Sequence, residues 1–254
     1  MAAKKPKLPK KTFDEINLAW QHAQTMPIRN KLKAFRQISF DILNSYNKEE
    51  SSLTQINIYI GILRTTTRML SSPQSTMRML AKLIAHKLEL TGNQEVKILH
   101  KVSKNITLSS ATIMIGEVGI VTLVDASENE LIEIINKGEA FFFSTRSDGV
   151  FPIQLRIIEA SEPLLTAKEY RYLENSSQTA IINMPHGQIA VSDLSTFAAG
   201  TAEILLKVEP GNYKVTAMLF HIPNKISSYY IVMCKTQDPI NNNFERIDEL
   251  EDAF

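Results

Sequence analysis

An α+β fold is predicted: an N-terminal antiparallel four-helix unit followed by an antiparallel β-sandwich domain with one or two short helices. Three observations predict it. Apolar residues recur at helical spacing from Thr12 to Gly92. After Gly92 the period shortens to the alternation of strands. Between Gln178 and Phe220 apolar runs are separated by Pro185-His186-Gly187 and by Pro210-Gly211-Asn212, the turn chemistry of β-hairpins.

Residues 1–11, MAAKKPKLPKK, carry five lysines and two prolines and little to bury, so they read as a disordered basic arm. Thr12-Phe13-Asp14-Glu15 is a capping box, in which hydroxyl and carboxylate can each satisfy an amide of the other. Phe13, Ile16, Trp20 and Ala23 continue it at helical spacing. A second helix follows Pro27, with Ile28, Leu32, Phe35, Ile38, Ile42 and Tyr46 on one face and Arg29, Lys31, Lys33 and Arg36 on the other. After a loop over 47–52, a third helix runs to about Leu70 with Ile56, Tyr59, Ile60 and Leu63 as its stripe. Ser72-Pro73 reads as a helix start. The fourth helix ends at Thr91-Gly92, where Gly suits a left-handed position.

Beyond Gly92, strands are expected over 95–102, 106–108 and 112–115, with Gly116-Glu117-Val118-Gly119 as a strand turn. Ser127–Glu130 is a second capping box, opening a short helix closed by Lys137-Gly138. EAFFFST, a Ser147-Asp148-Gly149 turn and a strand over 152–158 follow. Thr166–Glu169 is a third capping box, predicting a short helix through Tyr170, Tyr172 and Leu173. The strand pairs of 178–220 are expected as hairpins, and 228–235 as the last strand. Residues 245–254 hold five acidic residues and one Arg, an acidic helix or tail. The expected division is therefore 1–11 arm, 12–92 helical domain, 93–236 β-sandwich and 237–254 acidic tail.

With 28 basic and 27 acidic residues the net charge is +1, which argues against a general polyanion binder. The single cysteine, Cys234, cannot form an internal disulfide and reads as a small buried hydrophobe. No apolar run approaches a membrane span and no secretory leader is legible, so a cytoplasmic protein without membrane contact is expected. The five histidines form no metal-ligand spacing, and no nucleophile elbow or phosphate-cradling glycine loop is present. No catalytic residue, metal or cofactor is expected.

Within residues 95–236, the runs FPIQLRIIEASEPLLTAKEYRYLENS, QTAIINMPHGQIAVSD and VEPGNYKVTAMLF resemble a widespread bacterial β-sandwich family. It includes the competence protein J type nuclease inhibitors and has many relatives encoded beside polymorphic-toxin genes. The matching positions are Pro163, Tyr170, Gly187, Asp193, Pro210, Gly211 and Tyr213. Tyr170 stands where the family usually has Trp, and His186-Gly187 where it usually has Ser-Gly. The resemblance implies a non-enzymatic inhibitor or immunity protein that binds a cognate toxin, perhaps a nuclease, and occludes its site. It carries over no catalytic residue. On that reading the contacts come from loops at a sandwich end and from the acidic tail: Arg146, Asp148, His186, Phe197, Glu249 and Asp252. Phe197, among the small residues of LSTFAAGT, either stands exposed as an anchor or folds back onto the core. The alternative function is nucleic-acid binding through the Lys-rich arm and the basic helices, which would weaken steeply with salt.

Overall fold

The computed structural model describes residues 10–69, 74–92, 96–117, 119, 126–159, 163–198, 200–222 and 226–250. It is α+β, and the chain divides into two compact units, Met1–Asn93 and Gln94–Phe254.

The first unit holds α1 (Phe13–Gln24), α2 (Ile28–Ser45), α3 (Leu53–Met69) and α4 (Gln74–Leu90). The capping box at Thr12 forms in both directions. The Ser72-Pro73 start signal lies outside the described residues. The stripes read from periodicity meet in one core that includes Ile16, Phe35, Ile38, Ile42, Ile56, Leu63 and Leu83. Ile28, at the start of its stripe, is exposed. Trp20 packs on Phe35 with ring centroids 4.6 Å apart. Between α2 and α4, the Tyr46 hydroxyl meets His86 Nδ1 at 2.5 Å, and burial pushes the Tyr46 phenol up to about 12.

The second unit stacks two sheets. Its elements are β1 (Ile98–Leu108), β2 (Thr112–Gly116), α5 (Glu128–Lys137), β3 (Ala140–Ser144), β4 (Gly149–Ile158), α6 (Ala167–Tyr170), β5 (Leu173–Ser176), β6 (Ala180–Met184), β7 (Gln188–Asp193), α7 (Leu194–Ala198), β8 (Ile204–Lys207), β9 (Gly211–Phe220), β10 (Ser228–Thr236) and β11 (Asp248–Glu249). One sheet runs β1-β4-β10-β9-β5, with β6 also on β9; the other runs β11-β3-β2-β7-β8. Pairing is antiparallel except β4 with β10 and β3 with β11. Alternate residues of both inner faces fill one core, among them Phe141, Phe143, Leu155, Ile182, Val191, Val215 and Ile231.

The hairpins expected over 178–220 are not hairpins. β6 pairs with β9 in the first sheet, whereas β7 pairs with β2 and β8 in the second. Pro185-His186-Gly187 therefore carries the chain from one sheet to the other, and Glu209-Pro210 carries it back. Proline and glycine bend the backbone equally well whether the strands they join pair or part. The strand candidates 95–102 and 106–108 merge into β1. The short helix at Thr166 ends at Tyr170, and Leu173 already belongs to β5. LSTFA forms a third helix, α7, in place of a loop.

Residues 237–250 belong to the sheet unit, with strand in place of helix. Asn136 and the Phe244 backbone form two reciprocal hydrogen bonds, at 2.7 and 3.0 Å. Phe244 and Leu250 are buried in the core, and β11 runs beside β3. The acidic composition of this stretch hides two apolar anchors.

Candidate functional site

Strand register sorts the sequence-predicted contact residues between two ends of the second sheet. Thr112 lies opposite Ser144 and Ile113 opposite Asp193 at one end, while Gly116 lies opposite Ala140 and Ala190 at the other. The loops 109–111 and 145–148 and the start of α7 gather at the first end. His186 belongs to the second.

The first end is built around Asp193, which is fully buried. Its Oδ1 accepts from the amides of Ser109 and Ser110 at 3.1 Å each and from the Ser110 hydroxyl at 2.8 Å. Its Oδ2 accepts from the Ser109 hydroxyl and the Ser195 amide, both at 3.1 Å, and from the Ser195 hydroxyl. Burial pushes this carboxyl up, but the bonds from Ser195, Ser110 and Ser109 outweigh it and hold it below its ordinary range. A carboxylate offers about four acceptor positions, so six donors saturate it. Nothing is left over for a metal or a substrate proton. Asp193 is a clasp that fixes the β1–β2 turn and the start of α7 to the end of β7.

Beside the clasp lie two non-glycine residues in left-handed backbone, Ala111 at φ 51° and Arg146 at φ 57°. They are stitched together. Ala111 O accepts from the Thr145 amide at 2.9 Å and from the hydroxyls of Ser144 and Thr145 at 3.2 Å. The Arg146 amide in turn donates to the Ser144 hydroxyl at 3.1 Å. Such conformations cost roughly 1–3 kcal/mol each and persist where surroundings over-determine them, often at functional surfaces.

From this frame Arg146 projects and pairs with Glu249 of β11; the two side chains remain 51% and 49% exposed. Asp148, in the same loop, is exposed. The structure thus brings Arg146, Asp148 and Glu249 to one end. Asp252 lies outside the described residues. Phe197 is 3% exposed and packs in the core, so it is no surface anchor: α7 turns it inward.

At the opposite end Glu117, 2% exposed, accepts from the amides of His186 at 3.1 Å and of Gln188 at 2.7 Å. The His186 ring is 81% exposed, its Nδ1 3.3 Å from Glu117. Glu117 thereby holds the sheet-crossing turn, a role the GEVG reading missed. Asp193 was read only as a matching position of the resemblance, and its clasping role and its serines were missed. An Asp that closes a strand just before a helix-forming run is an N-cap signal, and the Ser109-Ser110 pair between two strands offers short hydroxyl donors.

Among the described residues, no group of three or more His, Cys, Asp or Glu side chains is placed to hold a metal ion, and no helix is long and apolar enough to cross a membrane.

No family model matches the chain, and no curated protein does. Two solved structures are similar to part of it. One is described as crocagin biosynthetic gene J, with a TM-score of 0.43, 9% identity, and coverage of 57% of this chain and 100% of that one. The other is ComJ from Bacillus subtilis, described as an inhibitor of the DNA-degrading activity of NucA. Its TM-score is 0.39, its identity 14%, and the coverage is 56% of this chain and 100% of that one.

Proposed function

We propose that this chain is a non-enzymatic cytoplasmic inhibitor of the immunity-protein kind, which binds a cognate bacterial toxin, a nuclease on the closest reading, and occludes its site. The motifs at Pro163, Gly187, Asp193 and Pro210–Tyr213 support it through their resemblance to nuclease inhibitors. The observation that carries it is the loop end around Asp193. There a saturated, buried carboxylate ties the β1–β2 turn to the start of α7, Ala111 of that turn holds the 145–148 loop, and exposed side chains of both signs, Arg146, Asp148 and Glu249, stand at this end. A rigid, charged, solvent-facing rim suits recognition of a folded partner, because little loop entropy is lost on binding. It suits chemistry poorly, because Asp193, the buried acid at this end, has no acceptor position to spare.

The test is growth. The C-terminal domain of any large protein encoded beside this chain is expressed from an inducible promoter, with and without the chain. Rescue together with a one-to-one complex on copurification is expected. Toxicity that is unchanged by the chain, or a neighbour that is not toxic, would overturn the reading.

A further inference from the structure

Among the described residues, every sheet edge in the second unit is short or covered, except one. β11 and β8 span Asp248–Glu249 and Ile204–Lys207 only. β5 spans Leu173–Ser176. The outer edge of β6 is bridged by Asn242, whose Oδ1 accepts from the Ile181 amide at 2.8 Å and whose Nδ2 donates to the Ile181 carbonyl at 2.8 Å. β1 is different. It is 11 residues long, pairs only with β4, and keeps an unbroken register from His100 opposite Ile157 to Leu108 opposite Gly149. All of its residues before Ile106 are exposed except the half-buried Val102. A long open edge of this kind is a template for another strand, and proteins that have no use for one shorten it, cover it or break it with proline.

The charge on this edge says which strand it accepts. From Val96 to Ser110 there are three lysines and a histidine, and no acidic residue. Lys97 is neutralised by Glu159 at 2.6 Å, and Lys104 Nζ reaches the backbone carbonyl of Glu203 at 2.7 Å. Lys101 and Lys104 lie at positions of opposite parity, so each face of an added strand would meet a cation. A second copy of β1 would set one lysine-bearing, acid-free strand against another, which like-charge pairing disfavours. On the outer face, a groove of about 410 Å3 runs beside the edge, lined by Ser103, Asn105, Pro152, Gln154, Ser228 and Tyr230. It offers a shallow seat for an alternate side chain.

We infer that β1 is a strand-addition site for an acidic, extended segment of a protein partner, bound by main-chain hydrogen bonds along His100–Thr107 and selected by Lys101 and Lys104. This site is separate from the loop end around Asp193 and holds whether or not the protein is an inhibitor.

The probe is a short blocked peptide of alternating Val and Glu, added to the full chain, with a Val/Lys peptide of the same length and a single-stranded oligonucleotide as comparisons. Amide hydrogen exchange is expected to slow along His100–Thr107 with the Glu peptide. It should not slow with the Lys peptide, and Lys101→Glu/Lys104→Glu should weaken binding about tenfold or more. Three results would each overturn the inference: unchanged exchange in β1, equal protection by the Lys peptide, or equal protection by the oligonucleotide, which would mean that charge alone is read. The comparison among probes on the unaltered protein stands even where the double variant fails to fold.

Discussion

Gly187 lies directly beneath Val208: a Cβ built on Gly187 would come within 2.2 Å of the Val208 carbonyl oxygen, and the Val208 amide donates to the Gly187 carbonyl at 2.8 Å. The two segments that carry the chain between sheets are therefore packed backbone against backbone. The Tyr213 hydroxyl, donating to the Glu209 carbonyl at 2.7 Å, closes the second of them. This contact explains why a glycine with φ +68° stands at the first crossing.

Gly187→Ala is expected to destabilise the sheet unit by roughly 2–4 kcal/mol, from backbone strain plus the clash. Gly200→Ala is the control. Gly200 also has positive φ, at +78°, but open space around it, so roughly 1 kcal/mol is expected. Urea unfolding of the two variants measures the difference; equal losses would show that the crossing is not tightly packed.

Asp193→Asn replaces one acceptor oxygen by a donor in a site where three backbone amides can only donate, and should cost about 2–3 kcal/mol at neutral pH. The pH dependence follows from the depressed folded-state value. Asp193 contributes fully above its ordinary 3.8, and the contribution fades as pH falls through the lower folded value. Unfolding free energy measured from pH 7 down to about 2 should therefore fall more steeply below pH 4 in the native protein than in Asp193→Asn. Parallel curves would count against the clasp.

Phe244→Ala should destabilise the sheet unit by about 3–5 kcal/mol, because a buried ring is lost from a closed core. A chain ending at Thr236 would also lose Leu250 and the Asn242 bridge to β6. It is expected to lose near-UV circular dichroism of the sheet unit, whereas a dispensable tail would leave the spectrum unchanged.

In the helical unit, the Ser39 hydroxyl is buried without a hydrogen-bond partner. Ser39→Ala removes an unsatisfied polar atom without opening much volume, so a gain of about 1 kcal/mol is expected in thermal unfolding. A loss would mean that the hydroxyl is satisfied in solution.

Local chemistry was legible wherever one segment decides its own structure. The capping boxes at Thr12, Ser127 and Thr166 form in both directions, Gly92 is left-handed as read, and Gly138 closes α5 as read. Glu169 then does more than its motif says: besides capping α6 it pairs with buried Arg156 of β4 at 2.6 Å, and the guanidinium lies 4.3 Å from the centre of the Tyr230 ring. Strand partners were not legible, since Pro185-His186-Gly187 has the same local preference in a hairpin and in a sheet crossing. The site was read only in part for the same reason. Arg146 and Asp148 could be placed on an exposed loop, but Glu249 reaches Arg146 across the register of β3 and β11, a separation of 103 residues. Phe197 is a long-range case too, drawn inward by a core that its own loop does not announce.

The most direct test of the proposed binding surface is growth rescue by Arg146→Glu/Asp148→Arg compared with the unaltered chain, each coexpressed with the proposed cognate toxin domain. Both residues are exposed, and an exposed ion pair such as Arg146–Glu249 contributes under about 1 kcal/mol, so the double variant should fold and melt almost as before. The account predicts rescue by the unaltered chain and its loss in the variant, with the complex no longer copurifying. Full rescue by a folded double variant would contradict the assignment of the Asp193 end as the contact surface.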